Sequence, residues 1–461
     1  MITPYDLNNK LRILLILLSI GCSMPKVVAQ RSTADSLNSM SYIQNEFIKV
    51  GIDLNLGGSI TFLADAKKGE NMINNYDWGR QIQMSFYSGP NPYAPNGKEP
   101  LPFWRNLGWN PIQSGDYAGN RSKVLEYKND GKQLYVKCIP MHWPLDNEPA
   151  ECTFESWIVL KGNTVQVRSR VVNNREDKTQ YKGSRQELPA VYTNAPYHRM
   201  ISYRGDKPFT KDTVSHIKNH NYPKDKEIKW AYWHATEGWA ANVNDDNYGL
   251  GIWNPEIQEF CGGFYGDDKF TGGSKKKETG YIAPRVRDIF DHNITYDYNY
   301  VLILGTLDEI RNYVYKNAKK QKLPQYVFTK DRQHWSLENT TDAGWPIENK
   351  LVIKLRQNAT LVSPMMLWNS ADAGLLTFTA KYPIGTPQKG KVYLNRFNQP
   401  NFDEQLSFEF DAIADGKPHE YRIPLKKSAN YNGAFSKIKI VLSTTDAANQ
   451  TVEVKSIALK K

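Results

Sequence analysis

The sequence predicts an all-β chain, a large antiparallel sandwich followed by a smaller one. Three observations carry that expectation. Short runs of alternating apolar and polar residues recur along the 461 residues, separated by Gly, Asn, Asp and Pro turns. One segment stands out as helical. After Lys322 the texture changes, and a second series of alternating runs begins near Asn349.

The elements follow in order. Lys10 and Arg12 precede the apolar run Ile13–Ile20, and Val27-Val28-Ala29 has the small-residue pattern of a signal-peptidase site. Residues 1–29 therefore read as a secretory leader cleaved after Ala29, which places the mature chain in the periplasm or outside the cell. The rival reading is lipid attachment at Cys22, after Ser19-Ile20-Gly21. No later stretch reaches the ~18 apolar residues of a membrane span. Strands are expected over 46–56, 133–139, 153–160, 164–172 and 299–304, within a domain covering 35–322. Thr306 and Glu309 form a capping box, and Leu307, Ile310 and Val314 form the apolar stripe of a helix ending in Lys-rich residues 316–320. Residues 323–348 read as a linker packed on a surface. The runs VIKLR, LLTFTAKY, KVYLNRF, LSFEFDA, HEYRIPL, KIKIVLS and VEVKSIAL then make a second domain over 349–461.

Charge and cysteines narrow the chemistry. The chain carries +11, which suits an anionic partner. Export argues against nucleic acid and favours a uronated or sulfated polysaccharide; a lysine-rich surface that only maintains solubility is the alternative. Cys138 and Cys152 flank a strand connection, so a disulfide between them is expected in an exported protein, leaving Cys261 free. No CxxC or HExxH motif appears, so neither a metal site nor a cofactor is expected.

Several stretches carry side chains suited to sugars, which are held by amides and carboxylates at hydroxyls and by aromatic faces at C–H surfaces. DWGRQIQMSFYSG and GWNPIQSGDYAGN supply Arg80, Gln81, Gln83, Trp109, Asn110, Gln113 and Asp116. Amides that satisfy the backbone of their own loops are the competing reading. QELPAVYTNAPYHR is broken by two prolines and is expected as an open loop presenting Glu187, Tyr192, Tyr197, His198 and Arg199. Elimination from a uronate needs such a set. Arginine neutralises the carboxylate and so acidifies the adjacent C5 proton, a His or Tyr removes that proton, and a Tyr or His protonates the departing oxygen. WAYWHATEGW adds His234 and Glu237 among Trp230, Trp233 and Trp239, either a sugar platform or a core strand. APRVRDIFDH adds Arg285, Arg287 and His292, suited to a carboxylate or sulfate, or to an exposed edge.

Residues 35–322 resemble the galactose-mutarotase-like β-supersandwich through NNYDWGRQIQMSFY, the WNPIQSGD loop and EGWAANVNDDNYGLGIWNP. Residues 349–461 resemble galactose-binding-like jelly rolls through FEFDAIADGKPHEYRIPL, FSKIKIVLS and VEVKSIAL. These resemblances imply a carbohydrate-active protein of the kind that polysaccharide-degrading Bacteroidota export. They are similar in type to ulvan-oligosaccharide dehydratases, which eliminate at a terminal uronic acid. Three functions stay open: uronate β-elimination, glycoside hydrolysis with Glu187 and Glu237 as the carboxylate pair, and glycan binding without catalysis.

Overall fold

The computed structural model describes residues 39–218, 230–267, 269–319, 322–385, 389–445, 447 and 450–461. The expected leader, its cleavage site and Cys22 lie outside these residues. The described chain is built almost wholly from antiparallel strands in four sheets, two per sandwich.

In the larger sandwich, one sheet runs in the spatial order Met40–Gln44, Ile48–Asp53, Ser59–Asp65, Ile82–Ser85, Ser184–Asn194, Thr279–Asp288, Glu259–Tyr265, Ala231–His234. The facing sheet centres on Thr295–Thr306 and Thr164–Asn173, flanked by Cys152–Lys161 and Tyr248–Trp253. Alternation decides which residues go inside. Gln133–Ile139 is buried at every second position, so Leu134, Val136 and Cys138 meet Ile52, Leu63 and Met84 across the core. Each fully buried aliphatic side chain contributes about 1.5–3 kcal/mol.

The expected helix forms at Leu307–Asn317 with both halves of the Thr306/Glu309 capping box. Its Ile310 and Val314 pack on the back of the second sheet with Ile201, Trp239 and Trp253. Gly251 makes this approach possible, since a Cβ there would lie 2.5 Å from Ile310 Cγ2.

Three expectations change. Cys138 and Cys152 are free, buried thiols, and no disulfide joins them. Both sit in the apolar core on neighbouring strands, where they behave as small hydrophobes. QELPAVYTNAPYHR is largely a strand: residues 184–194 pair with strands on both sides, Pro189 is absorbed by a β-bulge, and Pro196 falls in the turn that follows. Glu187 pairs with Arg285 and Val191 with Ile282, so this strand advances four residues while its partner advances three. The stretch read as a linker is part of the smaller sandwich. Gln325–Val327 and Ser336–Glu338 join its two sheets, and Phe328, Trp335 and Ile347 enter its core.

The smaller sandwich places Thr451–Lys460 between Gln325–Val327 and Leu375–Lys381 in one sheet. Ala434–Ser443 lies between Ala359–Val362 and Lys389–Arg396 in the other. It is joined to the larger one by buried polar contacts. Arg332 grips Asp342 with two hydrogen bonds of 2.6 Å and reaches Asp291 of the larger sandwich at 2.8 Å. His334 donates from Nδ1 to Asp288 at 2.9 Å, and Tyr296 OH donates to the same Asp288 oxygen. The backbone at His334 is left-handed, with φ 62°, a conformation that its side-chain contacts must hold in place.

Candidate functional site

The open face of the first sheet gathers a cluster of charged and phenolic side chains, and strand pairing puts them there. Ser85, Glu187, Arg285, Glu259 and His234 pair in turn across five strands. Residues directly opposed across an antiparallel sheet share a face, so these side chains form one row on the side away from the core. Arg185 and Arg287 oppose each other one pleat further along. Tyr192 opposes Tyr281 on the other side of the bulge. Glu187 and Tyr192 are five positions apart and in a regular strand would face opposite ways; the extra bulge residue brings them to one face.

Glu187 is the hub. It accepts from Tyr87 OH at 3.0 Å on Oε2 and from Tyr281 OH through a short hydrogen bond on Oε1. Burial and then the Glu187 charge hold the Tyr87 hydroxyl well above its ordinary pKa. Tyr281 is raised by burial, with Cys261 and Glu187 adding to it. Both phenols are therefore protonated donors at neutral pH. Tyr192 and Trp230 pack on the Tyr281 ring at 4.7 Å each.

Arg285 flanks this carboxylate, and Arg185 and Arg287 lie one pleat further along the same face. Arg285 lies over the exposed Tyr232 ring at 4.9 Å, and its Nε is buried without a hydrogen-bond partner. Arg287 Nη1 donates to Gly183 O at 2.7 Å, and Arg185 Nε donates to Glu259 at 3.0 Å. Arg287 has its pKa lowered by burial and then by the neighbouring Arg185. Two grooves open here and share Arg185, Tyr232, Arg285 and Arg287. One, about 830 Å³, includes Tyr87 and Glu187; the other, about 570 Å³, runs to the smaller sandwich along His234, His334 and Lys437.

The expected site residues divide sharply. Glu187, Arg285, Arg287 and His234 come together on the open face. His234 is buried, which depresses its pKa to about 4 and keeps it neutral; its Nε2 bonds Gln258 at 2.8 Å. Arg80, in the loop before strand Ile82–Ser85, lies near Tyr192 and is paired with Asp77 at 3.1 Å. Trp109 is a fully buried core residue. Gln83 bonds Trp78 O and Ser114 N, Asn110 bonds Phe86 O, and Gln113 bonds Gly57 O and Met84 N, all buried. These amides complete the hydrogen bonding of the loops that carry them.

Tyr197 and His198 lie in the turn beyond the far end of that strand, whose last residue Asn194 is seven extended positions or roughly 20 Å from Glu187, and Arg199 opens strand Arg199–Ser202 of the second sheet. His198 stacks on Phe270 at 3.7 Å, and Arg199 binds Asn244 O and Asn247 of the next hairpin. Burial lifts the Tyr197 hydroxyl to about 12. Glu237 is taken out of any carboxylate pair: it is fully buried under the helix, where Arg311, Trp239, Tyr315 and Phe209 N all donate to it. Tyr87, Tyr281, Arg185, Glu259 and Lys437 were not singled out from sequence. The i, i+2 pairs Arg185/Glu187 and Arg285/Arg287 were the available signal, but only pairing across strands shows that they converge.

Among the described residues no group of three or more His, Cys, Asp or Glu side chains is placed to hold a metal, and no helix is long and apolar enough to cross a membrane. No family model and no curated protein matches the chain. Solved structures do match. A galactose mutarotase related enzyme from Lactobacillus acidophilus is 13% identical, covering 59% of this chain and 99% of its own with a TM-score of 0.38. A galactose mutarotase-like protein from Lactobacillus casei is 11% identical, covering 57% and 99% with a TM-score of 0.37. Likenesses of this size carry no argument about activity, which rests on the site.

Proposed function

We propose that this protein is an exported carbohydrate-active enzyme that eliminates across C4–C5 of a uronate-bearing oligosaccharide. One observation carries the reading: a carboxylate hydrogen-bonded to two tyrosine hydroxyls, beside a guanidinium with a free, buried N–H. Arg285 and Arg287 bind the sugar carboxylate and stabilise the charge that develops when the C5–H bond breaks. Glu187 takes the C5 proton, the C4–C5 double bond forms, and the C4–O bond breaks. Tyr281 or Tyr87 delivers its proton to the departing oxygen. Glu187 then returns the C5 proton to that tyrosine through the hydrogen bond already between them, which restores both groups. The leaving group is water from a terminal uronic acid, or a sugar hydroxyl from a chain.

A second reading has an observation of its own. Glu187 and Glu259 flank Arg285 on one row, two strand spacings or about 10 Å apart at the backbone, nearer the wider carboxyl spacing of inverting hydrolases than the narrow one of retaining hydrolases. Product chemistry separates the two. Elimination gives an unsaturated uronate with ultraviolet absorbance, whereas hydrolysis gives new reducing ends alone. Uronate oligosaccharides incubated with the wild type should produce the absorbance, and Glu187→Gln should lower its rate by about 10² or more. His198→Ala should keep the rate. Reducing ends without absorbance would establish hydrolysis, and loss in His198→Ala with none in Glu187→Gln would move the site to the distal turn.

A further inference from the structure

The groove between the sandwiches holds more Arg and Lys than Glu side chains, and part of that positive charge comes from the smaller sandwich. Lys437, on strand Ala434–Ser443, makes no ion pair or hydrogen bond among the described residues, although it lines that groove. Burial lowers its pKa, Glu259 opposes the shift, and Arg185 and Arg287 reinforce it. The carboxylates facing it are Glu259 and Glu338, and Glu259 is already held by Arg185 at 3.0 Å. His234 lines the same groove, packed at 5.2 Å on Phe397 of the smaller sandwich, with its Nδ1 buried and unpartnered.

Lys437, Arg185 and Arg287 outnumber the two facing carboxylates, Glu259 and Glu338, so the partly buried groove keeps an excess of positive charge that a bound anion would relieve. The geometry points to a second anion-binding subsite, centred on Lys437 and bordered by Arg185, Arg287 and His234. It holds the carboxylate or sulfate ester of the sugar residue next to the one at Glu187. This rests on the reading of the Glu187 site as a uronate site. It assigns the smaller sandwich a direct part in substrate recognition, because the ammonium belongs to one sandwich and the guanidiniums to the other.

The test is calorimetric titration of the full chain carrying Glu187→Gln, so that sugars are bound and not consumed. Three disaccharides serve as probes, each with the same uronic acid joined to a sulfated sugar, a second uronic acid or a neutral sugar. Lys437→Gln should weaken one or both doubly charged probes by about tenfold or more, the scale of a charged hydrogen bond. It should leave the neutral-neighbour probe unchanged, and Lys437→Arg should restore much of the loss. Whichever charged probe responds identifies sulfate or carboxylate as the ligand. Unchanged affinity for both charged probes, or equal loss for all three, would overturn the subsite. Arg285→Gln checks the primary reading separately, because it should weaken all three. Failure of that variant to weaken the neutral-neighbour probe, or absence of binding by every probe, overturns the Glu187 reading and the subsite with it.

Discussion

Titration of His334 should loosen the smaller sandwich between about pH 6.5 and 9. Burial alone would lower this imidazole, but the Asp288 carboxylate at 2.9 Å outweighs it and lifts the pKa from 6.5 to about 9. Folding therefore favours the protonated ring. The stabilisation is fully present below pH 6.5, declines as pH rises through 9, and is lost above it. At 1.36 kcal/mol per pH unit, the rise from 6.5 to about 9 corresponds to about 3 kcal/mol, an upper value because 22% of the side chain meets solvent. The Asp288 shift downward is the same ion pair seen from the other partner and adds nothing to this interval. In a unit of this size the loss amounts to roughly 10 °C of melting temperature. The assay is thermal unfolding of wild type and His334→Gln at pH 6, 7.5 and 9.5. Other groups titrate in both proteins, so the difference between them isolates the imidazole. The wild type should lead by several degrees at pH 6 and lose most of that lead by pH 9.5. Parallel pH profiles would show that the Asp288–His334 contact carries no charge and refute the reasoning.

Further outcomes follow from burial. Trp109→Ala should cost about 3–5 kcal/mol of stability by leaving a core cavity, measured by denaturant unfolding; a folded variant with lost sugar binding and unchanged stability would contradict its placement. Because Cys138 and Cys152 are free thiols, reducing agent should leave the melting temperature unchanged, and alkylation should require unfolding. Deletion after Lys322 removes Lys437, His334 and the wall of the groove, so turnover on charged oligosaccharides should fall at least tenfold even in a truncation that stays folded, as judged by circular dichroism. Full turnover by that truncation would confine the chemistry to the larger sandwich.

The alternation of apolar residues made the two sandwiches legible, because period-two burial is local: Gln133–Ile139 and the capped helix at 307–317 needed no knowledge of partners. The disulfide expectation rests on expected export, whereas the strand positions of Cys138 and Cys152 point both thiols into an apolar core. The site was half legible. Glu187, Arg285 and Arg287 are polar residues in strands that are otherwise half apolar, which is visible in the chain. Tyr87, Glu259 and Lys437 acquire meaning only from neighbours far away in sequence. Trp109 and the Gln81–Gln83 stretch misled for a related reason: amides and indoles that bind sugars are the same groups that close buried loops, and composition cannot separate the two uses. The prolines of QELPAVYTNAPYHR were read as breaking a strand, when the bulge gives at least Pro189 a place within it.

That bulge makes residue count, and not only residue identity, a requirement of the site. The strand behaves as two segments joined out of phase by half a repeat, with Arg185 and Glu187 on one side of the joint and Tyr192 on the other. Deleting one residue from 188–190 would restore a regular pleat while leaving every named side chain in the sequence. One segment would then have to turn inward, burying either the carboxylate or the tyrosine in the apolar interior. A point substitution at Leu188 or Ala190 leaves the joint intact. The strand is thus more vulnerable to a lost codon than to a changed one, and its length at this point fixes the face on which Glu187 and Tyr192 meet.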